Sequence, residues 1–454
     1  MTTPVSVEDL VQASTRVDAS SHDGRSFDIR SATGLLQPGD HLVVAETLLL
    51  VEEVVTGDDA DHARAAALTI DGPVGRTPAR RASDEEVAAV LRGNPPEAVL
   101  GHLVQRPAVP VGVLAHRLDR HTFWCGQSGS GKTYALGVAL EQVLTRTRLP
   151  VVVLDPNSDF VRLREPTASC TPADRARLAA REVRVLSAGS GEDALTFRFR
   201  SMSPRARAAV LRLDPVADRH EYNVLNRLLP SAGDGPDAVV RALTELGGSD
   251  GLALLERMQN LQVLEWDVWS YDREPATEVI ARRPAATVLD LGSLQRTEEQ
   301  LAVALAVLDD LWQRRERREP VLLVIDEAHT LAAPDPERPL GRAVLDRLVQ
   351  IAAEGRKYGL WLLLSTQRPS RVHRAVVSQC DNLTLMRMNS PVDLAELGEV
   401  FGFVPPGMLA RSPRFRQGEA LVAGGFVAAP SIVRVASRLT QEGGIDVPVP
   451  LGPA

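Results

Sequence analysis

Two kinds of apolar pattern follow one another along the chain. From residue 26 to about residue 82 the apolar runs are short and separated by turn formers. Leu35-Leu36-Gln37-Pro38-Gly39-Asp40 reads as a turn ahead of a strand. His41 to Ala45 and Leu48 to Val55 are rich in β-formers, Thr56-Gly57-Asp58-Asp59 is a turn, and Ala65 to Ile70 is closed by Asp71-Gly72-Pro73. Short strands at this spacing predict a small β-barrel. Ser83 to Arg92 predicts a helix, with Ser83 as its cap and Glu86 three residues on. From about residue 112 the pattern changes, and apolar runs alternate with longer helical segments. Strands are predicted at Thr122 to Cys125, Val151 to Leu154, Val183 to Leu186, Thr287 to Leu291, Val321 to Ile325 and Leu360 to Leu364. Helices are predicted at Lys132 to Arg146, Leu301 to Arg318 and Leu340 to Glu354. Near-continuous apolar strands between helices predict a parallel sheet covered on both faces, hence an α/β fold.

Residues 200–280 interrupt this alternation. Pro204 to Leu213, Glu221 to Leu229, Pro236 to Leu246 and Leu252 to Leu264 all carry helical spacing and predict a helical insertion. Leu383 to Met388 and Gly418 to Gly424 read as late strands. The expected organisation is a small barrel and linker over 1–110, a core in two parts over 111–199 and 281–440, the insertion over 200–280, and an arm or tail over 441–454.

Composition narrows the classes. Hydrophobic residues make up 44% and charged residues 24% of the 454, ordinary for a globular protein, so extensive disorder is not expected. No stretch approaches the ~18 uninterrupted apolar residues of a membrane span. The first residues lack the basic and apolar regions of a signal peptide. Three cysteines without a CxxC pair predict a cytoplasmic protein and no zinc site. The net charge of −8 excludes a uniformly basic surface but leaves room for a local basic channel. Of 51 Lys+Arg residues only two, Lys132 and Lys357, are lysine. Arginine stands wherever either cation serves, so these two mark positions where a compact point charge matters.

Lys132 falls in the segment Gly126-Gln127-Ser128-Gly129-Ser130-Gly131-Lys132-Thr133, which fits G-x-x-x-x-G-K-[ST] between a strand and a helix. Glycines let backbone N–H groups turn inward around phosphate oxygens, and the helix start adds partial positive charge. Lys132 is expected on the β/γ-phosphates and the Thr133 hydroxyl on Mg²⁺. The loop residues Gly126, Ser128, Gly129, Ser130 and Gly131, with Tyr134 just beyond, are the expected nucleotide contacts.

The segment Val321-Leu322-Leu323-Val324-Ile325-Asp326-Glu327-Ala328-His329 is an apolar strand ending in two acids. Asp326 is the expected second metal residue and Glu327 the base that orients and deprotonates water. Adjacent Asp and Glu favour hydrolysis over a switch. Leu154-Asp155-Pro156-Asn157-Ser158-Asp159-Phe160 sets two more acids at a strand end, read either as metal or gating groups or as a capped turn. Ser365-Thr366-Gln367-Arg368-Pro369-Ser370 ends another strand, where Gln367 is placed to sense the γ-phosphate or the attacking water. Glu354-Gly355-Arg356-Lys357-Tyr358-Gly359 joins a helix to that strand. This corner reads either as one that faces the neighbour's ATP in a ring, with Arg356 supplying charge in trans, or as a basic helix C-terminus set against its own dipole.

In this order GQSGSGKT, LDPNSDF, VLLVIDEAH, EGRKYGL, STQRPS and GEALVAGGFVAAP resemble the HerA branch of the FtsK–HerA superfamily of hexameric DNA translocases and helicases. The resemblance covers nearly the whole chain and is most specific from residue 115 to 430. It implies a RecA-like P-loop ATPase core, preceded by a small β-barrel and carrying a helical insertion. It further implies ATP and Mg²⁺ as cofactors, a homohexameric ring, double-stranded DNA in the channel, and a nuclease or effector partner, NurA-like or defence-associated. Carried over by position, Lys132 and Thr133 are phosphate and metal residues, Asp326 the second metal residue, Glu327 the base, Gln367 the sensor and Arg356 the trans finger. Arg120-His121 matches a family pair that approaches the nucleotide. Asn157-Ser158-Asp159 stands where the family commonly has His-Gly-Glu, which leaves the role of Asp159 open.

For DNA, Arg368, Arg371, His373 and Arg374 are one candidate lining. Arg314, Arg315, Arg317 and Arg318 read instead as a solvated helix face, and Trp266 and Trp269 as packing aromatics. The leading reading is a DNA motor in repair or antiviral defence. The alternative is an ATP-binding ring scaffold for an effector with little DNA movement. A membrane-bound secretion or conjugation ATPase is disfavoured by the lack of an anchor.

Overall fold

The computed structural model describes residues 17–58, 60–69, 72–228 and 236–444. The lead-in before residue 17, the tail beyond 444, residues 229–235 of the expected insertion, and Asp59, Ile70 and Asp71 lie outside the described residues. The rest forms two compact units. One comprises 17–118, 124–138 and 381–437, the other 119–123, 139–380 and 438–444.

The first unit opens with six antiparallel strands: β1 (Val17–Ser21), β2 (Ser26–Ser31), β3 (His41–Val44), β4 (Thr47–Val55), β5 (Asp61–Ala67) and β6 (Val74–Arg81). They close into a barrel in the order β1-β2-β5-β4-β3-β6. Alternate residues point inward, among them Val17, Ala19, Phe27, Ile29, Leu42, Val44, Leu49, Val51, Ala63 and Ala65. The outer side of β4 is also buried at Leu48 and Leu50, because it packs against the short helix Pro406–Leu409. The approach is close: a Cβ on Gly407 would lie 2.4 Å from the Glu52 carbonyl oxygen. Arg411 reinforces the contact by donating to the Pro38 carbonyl at 2.5 Å. After the barrel, Ser83 caps the helix Asp84–Leu91 as its spacing predicts. Its hydroxyl accepts the Glu86 N–H at 3.2 Å, and the Glu86 carboxylate takes the Ser83 N–H at 2.7 Å. The unit also holds an antiparallel run in the order Cys380–Leu385, Glu419–Gly424, Ser431–Val435, Val99–Leu103, Pro110–Gly112.

The second unit is built on a parallel run in the order Val183–Leu186, Ala286–Asp290, Val151–Asp155, Val321–Ile325, Leu360–Thr366. The middle strands are buried along their whole length, which explains their unbroken apolar sequences. Register sets Leu154 beside Ile325 and Ile325 beside Leu364, so Asp155, Asp326 and the Ser365-Thr366 pair fall at one carboxyl edge. In open parallel sheets that edge is where ligands bind.

Helices Pro204–Val210, Arg219–Leu228, Pro236–Leu246, Gly248–Asn260 and Ala276–Ala281 occupy the segment read as an insertion. Trp266 and Trp269 are buried and stacked there at 5.8 Å, packing aromatics as expected. The row Arg314–Arg318 departs from expectation. The helix Thr297–Gln313 ends before it, and Arg318 takes a left-handed φ of 51°. Arg315 lies 4.5 Å over the Trp312 ring and Arg314 pairs with Asp310, so half of this row is packed rather than solvated.

The last described residues are fastened down. Leu439 and Thr440 donate their N–H groups to the buried Glu141 carboxylate at 2.8 Å each, and Arg438 approaches the same carboxylate at 3.5 Å. Further along, the Gly443 N–H donates to the Asp159 carbonyl at 3.0 Å. A Cβ on Gly443 would sit 2.0 Å from the Ser158 carbonyl oxygen, so only glycine permits this contact. Among the described residues no helix is long and apolar enough to cross a membrane.

Candidate functional site

The phosphate loop follows the strand His121–Cys125 and runs into the helix Lys132–Arg146. Gly129 and Gly131 have φ of +72° and +89°, a backbone that L side chains rarely adopt. A Cβ on Gly126 would stand 2.7 Å from the Met386 Cβ and 2.9 Å from the Ser130 Oγ. Neighbouring backbone fixes the loop's shape. The Gln127 N–H donates to the Arg387 carbonyl at 2.9 Å, and the Gly418 N–H donates to the Ser130 carbonyl at 2.9 Å. Lys132 is buried, and Ser130 is wholly buried with a hydroxyl that has no hydrogen-bond partner. Ser128 and Gly129 are exposed, Thr133 is half-buried, and Tyr134 is exposed at the loop's end. A glycine cradle, a buried ammonium and an unsatisfied hydroxyl fit the phosphates of a nucleotide.

The acidic strand ends form a second group. Asp155, Asp159 and Asp326 each bring a carboxylate oxygen within 4.8 Å of the others. Asp155 is wholly buried and accepts the Asp159 N–H at 3.0 Å and the Phe160 N–H at 2.8 Å. Asp290 ends the adjacent strand but is occupied, accepting from the Ser158 and Ser187 hydroxyls at 2.6 and 2.8 Å. Burial pushes the Asp155 carboxyl up to about 7, and the charges of Asp326 and Asp159 act in the same direction against its two backbone hydrogen bonds. Crowded carboxylates of this kind fit a divalent cation, whose oxygen ligands they supply.

Folding therefore takes up a proton at Asp155 that the unfolded chain releases. Without divalent cation, stability should fall as pH rises from about 4 to about 7, by a few kcal/mol at most. Thermal melts of the wild type and Asp155→Asn across that window check this: the variant loses the slope, and parallel curves contradict the assignment.

Glu327 stands next to this cluster in sequence, with a left-handed φ of 44°, a costly backbone for a non-glycine residue. Its carboxylate is gripped on both oxygens. The Gln367 amide donates to Oε1 at 2.8 Å, while the Gln367 N–H at 3.4 Å and His329 Nδ1 at 3.2 Å meet Oε2. His329 Nδ1 also lies 3.1 Å from the Thr366 hydroxyl, which accepts the Arg368 N–H at 3.0 Å. His329 and Thr366 were not singled out by sequence; the only cue to His329 is its place two residues after Glu327. Beyond Gln367, Arg368, Arg371 and Arg374 are exposed, whereas His373 is half-buried and caps the next helix by accepting the Ala375 N–H at 3.2 Å. Arg356 and Lys357 are exposed in the turn Gly355–Tyr358. Arg120 pairs with Asp119 at 3.0 Å.

A phosphate loop before a helix, and paired acids closing a buried parallel strand, define a P-loop ATPase with a RecA-like core. The comparisons agree. Residues 98–311 match the family model described as "Helicase HerA, central domain". A probable helicase of Methanocaldococcus jannaschii is 24% identical over 421 residues, covering 87% of this chain and 77% of that protein. The DNA double-strand break repair helicase HerA of Pyrococcus furiosus is 22% identical over 387 residues, covering 74% and 69%. Among solved structures, the conjugative coupling protein TrwB aligns with a TM-score of 0.52 at 13% identity, over 81% of this chain and 94% of that one. VirB4 of Thermoanaerobacter pseudethanolicus aligns at 0.50 and 15%, over 75% and 96%. Residues 98–311 thus resemble the central domain of HerA helicases, and most of the chain is similar to HerA and a probable helicase, on a fold shared with TrwB and VirB4.

Proposed function

We propose that this ATPase is a motor that moves double-stranded DNA, works in the cytosol as a homohexameric ring, and delivers DNA to a partner nuclease or effector. One observation carries the coupling to DNA. Gln367, which grips Glu327 at 2.8 Å, is followed directly by the exposed cations Arg368, Arg371 and Arg374. Phosphates drawn to that loop act on the residue that holds the base. Sequence-independent charge is what a translocase needs from its DNA contacts.

The roles follow from the residue types. The loop N–H groups and Lys132 bind the β/γ-phosphates of ATP, and Tyr134 and Arg120 lie against the nucleotide. Thr133 and Asp326 hold Mg²⁺, which neutralises developing phosphate charge when bound. Glu327 takes a proton from the attacking water, once Gln367 or His329 gives up its hold. Arg356 supplies positive charge to the neighbouring subunit's ATP.

A second reading has an observation of its own. With both Glu327 oxygens engaged, the resting chain is suited to hold ATP without turning it over, as a scaffold for an effector would. Mg²⁺-dependent ATP hydrolysis measured with and without linear duplex DNA separates the two. The motor reading predicts stimulation by duplex and its loss in Lys132→Ala. ATP binding with no response to duplex sinks that reading and favours the scaffold.

A further inference from the structure

His121 is wholly buried, at the start of the strand His121–Cys125. Both ring nitrogens have partners. Nδ1 accepts the Leu362 N–H at 2.9 Å, so the proton sits on Nε2, which donates to the Ala352 carbonyl at 3.0 Å. Burial, chiefly, pushes its pKa down to about 4, with Arg356 and Arg120 acting in the same direction against the Ala352 bond, so the ring is neutral at neutral pH.

The two partners flank one corner of the chain. Ala352 lies in the last turn of the helix Pro339–Glu354, where carbonyls run out of helical partners. Leu362 lies on the strand Leu360–Thr366 that leaves the corner. Between them is the turn Gly355–Tyr358, with Arg356 exposed on it and close enough to His121 to bear on its charge. The corner is tightly built. A Cβ on Gly355 would lie 3.0 Å from the Leu360 carbonyl oxygen, and Gly359, at φ +82°, would bring one within 3.0 Å of Pro320. One imidazole thus ties the element entering the corner to the element leaving it, and no aliphatic side chain supplies both a donor and an acceptor there.

We propose that His121 is a positioning residue for Arg356, holding the corner so that the guanidinium reaches the neighbouring subunit's ATP. The proposal rests on the reading of Arg356 as a cation acting in trans. Misplacing such a group costs rate rather than nucleotide affinity.

The test uses the full chain and its ATPase activity with duplex DNA present. His121→Ala should lower kcat by about a hundredfold with little change in KM for ATP. His121→Asn is too short to serve both partners and should do the same, whereas His121→Gln, which offers a donor and an acceptor at similar reach, should keep most of the rate. The His121→Ala, Arg356→Ala double variant should be no slower than Arg356→Ala alone. Subunits with His121→Ala mixed with Lys132→Ala subunits should together exceed the sum of their separate rates, because the latter lend an intact Arg356 to the former's intact ATP site. The proposal is overturned if the two substitutions multiply in the double variant. It is also overturned if the His121→Ala mixture shows no gain while an Arg356→Ala mixture with Lys132→Ala does. If Arg356→Ala keeps the wild-type rate, or its own mixture shows no gain, the trans reading of Arg356 fails first and the proposal goes with it.

Discussion

Replacing Glu327 by glutamine will leave ATP bound and cut its turnover by roughly 10²–10⁴-fold, the usual worth of a positioned general base. The amide keeps the size and the buried position of the side chain, gives up one of the two oxygens that accept from Gln367, and can no longer take a proton. The left-handed backbone at φ 44° makes the site specific to this residue's placement as well as its charge. Binding of a fluorescent ATP analogue, set beside single-turnover hydrolysis, checks both halves. Retained binding with less than a tenfold loss of hydrolysis would mean that another group activates the water, and the assignment of Glu327 would fall.

Arg356→Ala is the second large effect. A guanidinium supplied across a subunit boundary is worth about 10³–10⁵ in rate in related phosphoryl chemistry. The side chain is exposed on a turn confined by two glycines, so its loss removes charge and little packing. The expected variant binds ATP and keeps its melting temperature and its oligomeric state, but does not respond to duplex DNA. Arg356→Lys should recover only a small part of the rate, because a point charge does not reproduce the planar fork. A variant with wild-type kcat would show that the corner serves another purpose, such as subunit packing.

Much of the core is legible in the sequence. The strands Val151–Asp155 and Val321–Ile325 are buried on both faces, so their sequences run apolar without a break and end abruptly in acids. The helix Lys132–Arg146 is bounded by the phosphate loop itself. The barrel was legible only in part. β3 and β4 stand out because β4 is buried on both sides, against the barrel interior and against Pro406–Leu409. β1 and β6 read VDASS and VGRTPARR, and β6 carries no fully buried residue, so no apolar run marks it.

The pairing of Glu327 with Gln367 was hidden for a different reason. The two lie 40 positions apart, and only the neighbouring register of Ile325 and Leu364 brings them together. The sequence pattern assigns Gln367 toward phosphate or water; its hydrogen bond to Glu327 is a contact that no local pattern contains. His121 shows the same limit. Beside Arg120 it reads as part of a pair near the nucleotide, yet its ring is held between Ala352 and Leu362, more than two hundred positions away. Short-range periodicity reports which face of an element is buried, and it says nothing about which polar groups meet across the fold.

The central claim is that ATP hydrolysis by this chain moves duplex DNA. Displacement of a third strand from a linear duplex carrying a triplex block tests it most directly, because a translocase strips the block without separating the duplex. The account predicts ATP-dependent displacement that slows as the duplex run-up lengthens and is absent with Glu327→Gln. Tight duplex binding and steady ATP turnover without displacement would contradict it and leave a DNA-bound ATPase that does not move.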